Sequence, residues 1–158
     1  MAALRSRTRR KPGRAKRKTR RATPKLSLRR ALRNGPRVNL AVGEIIRVAQ
    51  LPSYTPPGHS ETTNVRLVDG RFNGRFELVL GRIEPGGIAD RHSHDHAAQV
   101  IYVRAGQARV TLGNDPPQIC GPETVIRIPA GVEHEVISLG PETLDLMIVY
   151  SPPLAGVR

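Results

Sequence analysis

Three of the five histidines lie within five positions of the chain, at His92, His94 and His96. On a β-strand, residues two apart project from the same face, so His92 and His94 can present their imidazoles side by side. Imidazole is a ligand that most divalent transition metals accept. The His-x-His spacing therefore predicts a chelating pair, and the alternative is that these are exposed or hydrogen-bonded surface histidines.

Two later side chains can join this pair. Gln99 lies an odd number of residues beyond His94, so a turn over 95–98 must intervene before Gln99 begins the next strand and faces inward. Pro129 and Gly131 predict a second turn, which delivers His134 to the start of a later strand. His134 can thereby supply a ligand from far along the chain.

The segments that must position these residues are short apolar runs divided by Gly, Pro, Asn and Asp, which are typical of β-sheet proteins. Their spacing favours a sandwich or barrel. Asp69-Gly70, Asn73-Gly74 and residues 113–117 are predicted to reverse the chain, and proline-rich residues 51–58 to form an extended arm or edge strand. The predicted strands span 45–48, 65–68, 76–83, 99–103, 108–112, 125–128, 135–139 and 144–150.

Two spaced motifs resemble those of the cupin superfamily. The first motif of that family reads Gly-x5-His-x-His-x3,4-Glu-x6-Gly, and this chain matches it at Gly86, His92, His94 and Gly106, with Gln99 at the Glu position. The second reads Gly-x5-Pro-x-Gly-x2-His-x3-Asn. The chain keeps its Pro129, Gly131 and His134 and departs from it at Glu123 and Ser138.

The resemblance covers roughly residues 38–152 and implies an all-β fold, a double-stranded β-helix or jelly-roll barrel. It further implies that one divalent metal ion lies inside the barrel, held by His92, His94, Gln99 and His134. The ligand types suit Fe, Mn, Ni, Cu or Zn. Because all four ligands are neutral, the ion would keep its full charge and act as a stronger Lewis acid than one beside a carboxylate.

The resemblance implies a metal-dependent enzyme of isomerase, lyase or dioxygenase type that acts on a small organic acid or sugar-derived substrate. Similar His-His-Gln-His sites occur in cupins that act on unsaturated uronates and in some keto-acid isomerases. The alternative is a non-catalytic cupin that binds a metal or ligand and has a polyanion-binding arm. Turnover of candidate substrates would separate the two.

Several other polar residues are candidates for the pocket. His96 is predicted to be exposed or to lie just outside the ligand shell, where it could hydrogen-bond a ligand or move protons. His59 could line the mouth of the barrel, although the sequence favours an ordinary loop histidine. Surface or strand-face positions are favoured for Glu77, Arg82 and Tyr102, since the register of each strand is not fixed by sequence.

The charge is divided unevenly. Sixteen of the 26 Lys and Arg residues lie in residues 1–37, which contain no Asp or Glu, whereas residues 38–158 carry a net charge of −3. We predict a disordered basic arm over 1–37 and a barrel domain over 38–158. The arm could contact nucleic acid without sequence preference. A solvated tail or an extension from a wrongly assigned start codon is favoured over a selected nucleic-acid role. A targeting segment is a third interpretation, against which the density of Lys and Arg and the absence of an amphipathic stretch count.

The remaining features concern the environment of the protein. Cys120 is the single cysteine, so no intramolecular disulfide can form, and no apolar run is long enough to span a bilayer. The arginine-rich N-terminus lacks the apolar stretch of a secretory signal. These observations predict a cytoplasmic protein with no membrane contact, and the family resemblance implies a homodimer.

Overall fold

The computed structural model describes residues 43–154, which form a curled antiparallel sheet of nine strands. No helix within residues 43–154 combines the length and the apolar character needed to cross a membrane. The strands are β1 (Ser53–Tyr54), β2 (His59–Val68), β3 (Glu77–His92), β4 (Ala98–Ala105), β5 (Ala108–Leu112), β6 (Gln118–Cys120), β7 (Val125–Ile128), β8 (His134–Ser138) and β9 (Leu144–Ser151).

The long strand β3 organises the sheet. Its first part, Glu77 to Ile83, pairs with β9, and its last part, from Ile88 to His92, pairs with β8. The strand order is β6-β5-β8-β3-β9-β4-β7, and β2 also pairs with β3 along both parts. Because one strand has different neighbours at its two ends, the sheet curls and encloses an interior. The predicted all-β jelly-roll barrel is therefore confirmed.

The core follows the two-residue period of the strands. In β4 and β9, buried residues alternate with more exposed ones, so that one face of each strand packs inward. Most of these inward residues are aliphatic, and removing them from water stabilises the barrel. The buried apolar cluster comprises Val79, Ile83, Ala89, Ile101, Val103, Ala108, Val110, Ile126, Ile128, Val136, Leu144, Leu146, Ile148 and Tyr150.

The β2–β3 connection differs from the prediction of two separate reversals. Asp69 and Gly74 instead bracket a short helix, α1 (Gly70–Asn73), and the whole segment makes one reversal. The Asp69 side chain accepts a hydrogen bond from the backbone N–H of Arg71, and Gly74 ends the helix with a φ of 66°. The reversal at Gly106, with a φ of 77°, and the break over 113–117 are as predicted.

Three strand predictions need correction. Residues 45–48 form no strand, because they are exposed and pair with no strand in the described part of the chain. Val48 instead begins a 3-10 turn, Val48–Gln50. Strand β6 was missed because it is only three residues long and follows Pro116-Pro117. Strands β2 and β3 begin or end well outside their predicted bounds, because polar residues in β2 and Pro85-Gly86-Gly87 in β3 hide the strand pattern.

The described residues lie within the predicted barrel domain. The predicted basic arm, residues 1–37, falls outside them, as do residues 155–158. The short edge strand β1 lies within 51–58, where the sequence predicts an extended arm or edge strand.

Candidate metal centre

The ends of two paired strands bring His92 and His134 together. His92 is the last residue of β3 and lies directly opposite His134, the first residue of β8. Ala89 and His92 both contact the interior although they are an odd number of residues apart. A register irregularity between them accommodates the extra residue, because a bulge shifts the face to which later side chains project.

His94 lies just beyond β3, in the loop that leads to the turn at Asp95-His96. The backbone N–H of Gly131 donates a hydrogen bond of 3.0 Å to the carbonyl oxygen of His94. This bond joins the loop that carries His94 to the turn that precedes His134. His94 is therefore not on a strand, as the His-x-His argument assumed, but the loop still directs it toward the other two imidazoles.

The three imidazoles form a compact cluster. Their potential ligand atoms all lie within 4.8 Å of one another. Ring centroids are 4.9 Å apart for His92 and His94, 4.3 Å for His92 and His134, and 5.3 Å for His94 and His134. Such a group could hold a metal ion. Two nitrogens about 2.1 Å from one ion are at most about 4.2 Å apart, so side-chain shifts of a few tenths of an ångström would bring a pair at the 4.8 Å limit within reach of one ion.

Backbone carbonyls orient two of the rings. Nδ1 of His134 donates to the carbonyl oxygen of Val132 at 3.0 Å, and Nδ1 of His92 donates to that of Asp90. With the proton on Nδ1, the lone pair of each ring lies on Nε2, the atom available to a metal. Nε2 of His134 and of His94 is buried and has no hydrogen-bond partner among residues 43–154. Buried nitrogens of this kind fit a metal-binding role.

Gln99 is held beside this cluster by a tyrosine. It is 5% exposed, and its Nε2 donates to the hydroxyl oxygen of Tyr150 at 3.2 Å. Its Oε1 is buried without a hydrogen-bond partner in the described part of the chain. The ring of Tyr150 also packs edge-on against His94, with centroids 5.2 Å apart. Tyr150 therefore links the predicted amide ligand to an imidazole, a role that the sequence did not suggest.

A small cavity of about 30 Å³ lies inside the barrel beside these groups. His92, Gln99 and His134 line it together with polar residues of β2 and aliphatic residues of β3, β8 and β9. The lining formed by residues 43–154 contains no Asp, Glu, Lys or Arg. A cation there would keep its charge uncompensated by protein carboxylates, as the sequence predicts for a neutral ligand set.

Burial keeps three of the clustered histidines, His59, His94 and His134, neutral. Loss of solvent contact, and then the neighbouring His92 imidazole, lower the pKa of His94 to about 4. The same two causes, in the same order, lower the pKa of His59 to about 4. The pKa of His134 is also lowered, chiefly by burial. Neutral imidazole is the form that binds metals, so these rings are in the ligating form at neutral pH.

The other candidate residues lie in different places. His96 is exposed in the turn at Asp95-His96 and is not part of the three-histidine cluster; its role near the ligands stays a prediction. His59 is not a loop residue, because it begins β2 and lines the cavity. The sequence does not predict a strand at His59, because the residues that follow His59 are polar.

None of the three strand candidates contributes to this cavity in the described structure. Arg82 and Tyr102 are exposed on outer faces of β3 and β4. Glu77 is 2% exposed, so a surface position is wrong for it, and it accepts a hydrogen bond from the Arg66 guanidinium. This ion pair and a cation–π contact between Arg66 and Tyr54, at 4.7 Å, stabilise the end of the barrel near the β2–β3 connection.

An ion pair outside the cavity joins the end of β3, which carries His92, to the turn that precedes His134. The Arg91 guanidinium donates to Glu133 Oε2 at 3.0 and 3.1 Å and to the carbonyl oxygen of Gly113 at 2.6 Å. Arg91 immediately precedes His92, and Glu133 immediately precedes His134. Nothing in the sequence indicates this contact, which depends on the pairing of β3 with β8.

Comparison with known proteins agrees with this architecture. A family model described as a cupin domain matches residues 79–150, the segment from β3 to β9 that contains all four predicted ligands. The chain is a member of the cupin superfamily. A germin-like protein 3-7 from Oryza sativa subsp. japonica is 29% identical over 86 residues. That match covers 51% of this cupin chain and 37% of the rice protein.

Solved structures share the fold. The structure of KdgF from Halomonas sp. has a TM-score of 0.61 at 18% identity and covers 74% of this cupin and all of the KdgF chain. A predicted oxalate decarboxylase from Thermotoga maritima has a TM-score of 0.62 at 16% identity, covering 69% of this chain and 99% of its own.

The polyketide cyclase RemF from Streptomyces resistomycificus has a TM-score of 0.63 at 25% identity. The alignment covers 74% of this chain and 84% of RemF. The resemblances therefore extend over most of the barrel, although the similar proteins are named for different activities.

Proposed function

We propose that this cupin is a metal-dependent enzyme that acts on a small organic acid or sugar-derived substrate by isomerase, lyase or dioxygenase chemistry. The observation that carries the proposal is the convergence of three imidazoles, with ligand atoms within 4.8 Å, on the inside of the barrel. In this proposal His92, His94 and His134 hold one divalent ion together with Gln99. The ion is Fe, Mn, Ni, Cu or Zn, all of which accept imidazole.

The chain's own residues fit such an ion. Burial keeps the pKa of His94 and of His134 low, so neither ring carries a proton that a metal must displace at neutral pH. Tyr150 occupies the amide nitrogen of Gln99, which leaves Oε1 as the atom free to bind a cation. A bound divalent ion would polarise a substrate oxygen and lower the pKa of a neighbouring C–H group or water.

The charge and size of the cavity support an acidic substrate. A divalent ion among neutral ligands, in a cavity without carboxylates among its described lining, attracts an anionic group. The cavity of about 30 Å³ is large enough for only one or two water molecules or a group of similar size. An ion and one coordinated oxygen fill such a space, so the rest of a substrate would have to lie outside the cavity. Two of the similar structures are named as a predicted oxalate decarboxylase and a polyketide cyclase, and both names agree with oxygen-rich substrates.

Elemental analysis and turnover measurements test the proposal together. Purified protein should contain about one equivalent of a divalent transition metal, and the metal-loaded form should convert at least one of a panel of keto acids, enols and uronates. His134→Ala removes a ligand that is 1% exposed and should greatly reduce both metal content and turnover. Full metal content in His134→Ala, with its melting temperature unchanged, would refute the site.

The alternative is a non-catalytic cupin that binds a metal or ligand and uses its basic segment to bind polyanions. The feature that favours this alternative is the composition of residues 1–37, which contain 16 Lys and Arg residues and no Asp or Glu. Such a segment is suited to sequence-independent contact with nucleic acid. Tight ligand binding without turnover across the panel would support this alternative. The homodimer and the cytoplasmic location also stay predictions, which light scattering and cell fractionation can test.

A further inference from the structure

A fourth imidazole, that of His59, enters the cavity from β2. The turn at Pro57-Gly58, in which Gly58 has a φ of 68°, places His59 at the first position of the strand. His59 pairs in register with Ala89, which is 4% exposed and faces the interior. The methyl side chain of Ala89 leaves space for a ring to extend over it. The His59 ring lines the cavity as a result.

The hydrogen bonding of His59 is incomplete. Its Nδ1 is buried and has no hydrogen-bond partner among residues 43–154. Buried polar atoms are nearly always paired, with protein, water or a ligand, because an unpaired one is costly. A neutral imidazole has one N–H group and one nitrogen with a free lone pair, so the ring can offer that lone pair to a cation. His59 therefore resembles His94 and His134, each of which also has a buried, unpaired nitrogen.

The distance from His59 to His92 suits a shared ion. With a metal–nitrogen distance of about 2.1 Å, the centroid of a ligating imidazole lies about 3.2 Å from the ion, so two such centroids are at most about 6.4 Å apart. The His59 and His92 centroids are 5.8 Å apart. This separation is within the limit and larger than the 4.3–5.3 Å found among the other three rings. Such a value corresponds to an angle of about 130° at the ion. His59 lies outside the group whose ligand atoms are all within 4.8 Å of one another, so its ring would move toward the ion on binding.

We propose that His59 is an additional ligand of the metal ion, so that four imidazoles and the Gln99 amide surround it. The inference rests on the proposed metal site and adds a residue that neither cupin motif contains. With five protein ligands, a six-coordinate ion keeps one position for water or substrate. A substrate would then bind through a single oxygen, rather than chelating the ion.

Co²⁺ binding tests the proposal, because the visible absorption of Co²⁺ depends on the number of its ligands. The Co²⁺ dissociation constant, from competition with a chelator, and the spectrum should be measured for full-length wild-type protein, His59→Ala and His59→Gln. Loss of an outer-sphere partner of a ligand weakens metal binding 10–100-fold, so loss of a ligand should weaken it at least about 10-fold. Thr63→Ala, an exposed change on the same strand, is the matched control and should leave both readouts unchanged.

The outcomes separate this inference from the proposed function. If His134→Ala loses Co²⁺ while both His59 variants keep wild-type affinity and spectrum, His59 is not a ligand and the three-histidine site stands. If wild-type protein binds no Co²⁺, both proposals fail. A crystal structure of metal-loaded wild-type protein is independent of how the variants fold. A His59 nitrogen within about 2.3 Å of the ion supports the inference, and one beyond hydrogen-bond distance overturns it.

Discussion

The hydrogen bond between Gln99 and Tyr150 gives the sharpest test of the proposed metal site. Tyr150→Phe removes only the hydroxyl group and keeps the ring that packs against His94. The Nε2 group of Gln99 then loses the acceptor that lies 3.2 Å away. Gln99 is 5% exposed, so water cannot readily replace that acceptor. The amide becomes free to rotate, and Oε1 is no longer held in one direction.

Two measurable effects follow from the geometry. A buried amide left without its partner should lower the free energy of unfolding of the metal-free protein by about 1–3 kcal/mol. Because Tyr150 orients a proposed ligand, its loss should also weaken metal binding by about 10–100-fold, as for other outer-sphere partners. That range corresponds to about 1.4–2.8 kcal/mol of binding free energy.

The assays are urea unfolding of the metal-free protein and Co²⁺ competition with a chelator. Tyr102→Phe is the matched control, because Tyr102 is 40% exposed on the outer face of β4, and the variant should resemble wild type in both assays. A double-mutant cycle with Gln99→Ala separates direct from indirect effects. If Tyr150→Phe weakens Co²⁺ binding equally in the presence and absence of the Gln99 amide, orientation of Gln99 is not its role. An unchanged affinity in Tyr150→Phe would contradict the reasoning outright.

Three further changes test other parts of the structure. Gln99→Glu should retain the metal and weaken binding of oxalate, measured by calorimetry, by a factor of about five or more, because the added charge repels the anion; equal or tighter oxalate binding would contradict this. Gly106→Ala should lower the free energy of unfolding by about 1–3 kcal/mol, because the backbone has a φ of 77° and an added Cβ would lie 2.7 Å from a backbone carbonyl oxygen. Gly121→Ala is the control: an added Cβ meets nothing within 4 Å, so the variant should be neutral in the same urea assay. Replacing six basic residues within 1–37 by Gln should reduce the salt dependence of DNA-duplex binding, plotted as log K against log salt concentration, by up to about 5 in slope; an unchanged slope would show that the segment makes no phosphate contacts.

The motif spacing predicted much of the site. His92 and His134 appear where their motifs place them, at the end of one strand and the start of another. The inward direction of Gln99 is also confirmed, because its burial and that of Ile101 and Val103 follow the two-residue period of β4. The period of a strand depends on backbone geometry alone, so it can be read from residue types once one buried position is known.

His59 was misinterpreted for a physical reason. The residues that follow it, Ser60 to Asn64, are polar, and a strand of polar residues has no apolar alternation to reveal it. The strand forms because its backbone pairs with β3, whose other neighbours supply the apolar core. The inward residues of β2, Thr62 and Asn64, are polar and line the cavity. The polar residues that hide this strand in the sequence are therefore part of the candidate site.

The amino-acid sequence by itself determined the fold class, the positions of most strands and three histidines of the candidate metal site, because these depend on local periodicity and on fixed spacings between residue types. The tertiary structure alone decided that Tyr150 holds Gln99, that Arg91 and Glu133 link the strand ends that carry His92 and His134, and that His59 shares the cavity. Each of these contacts joins strands distant in the chain. Their geometry depends on register shifts and on the curl of the sheet, which the packing of the whole barrel sets.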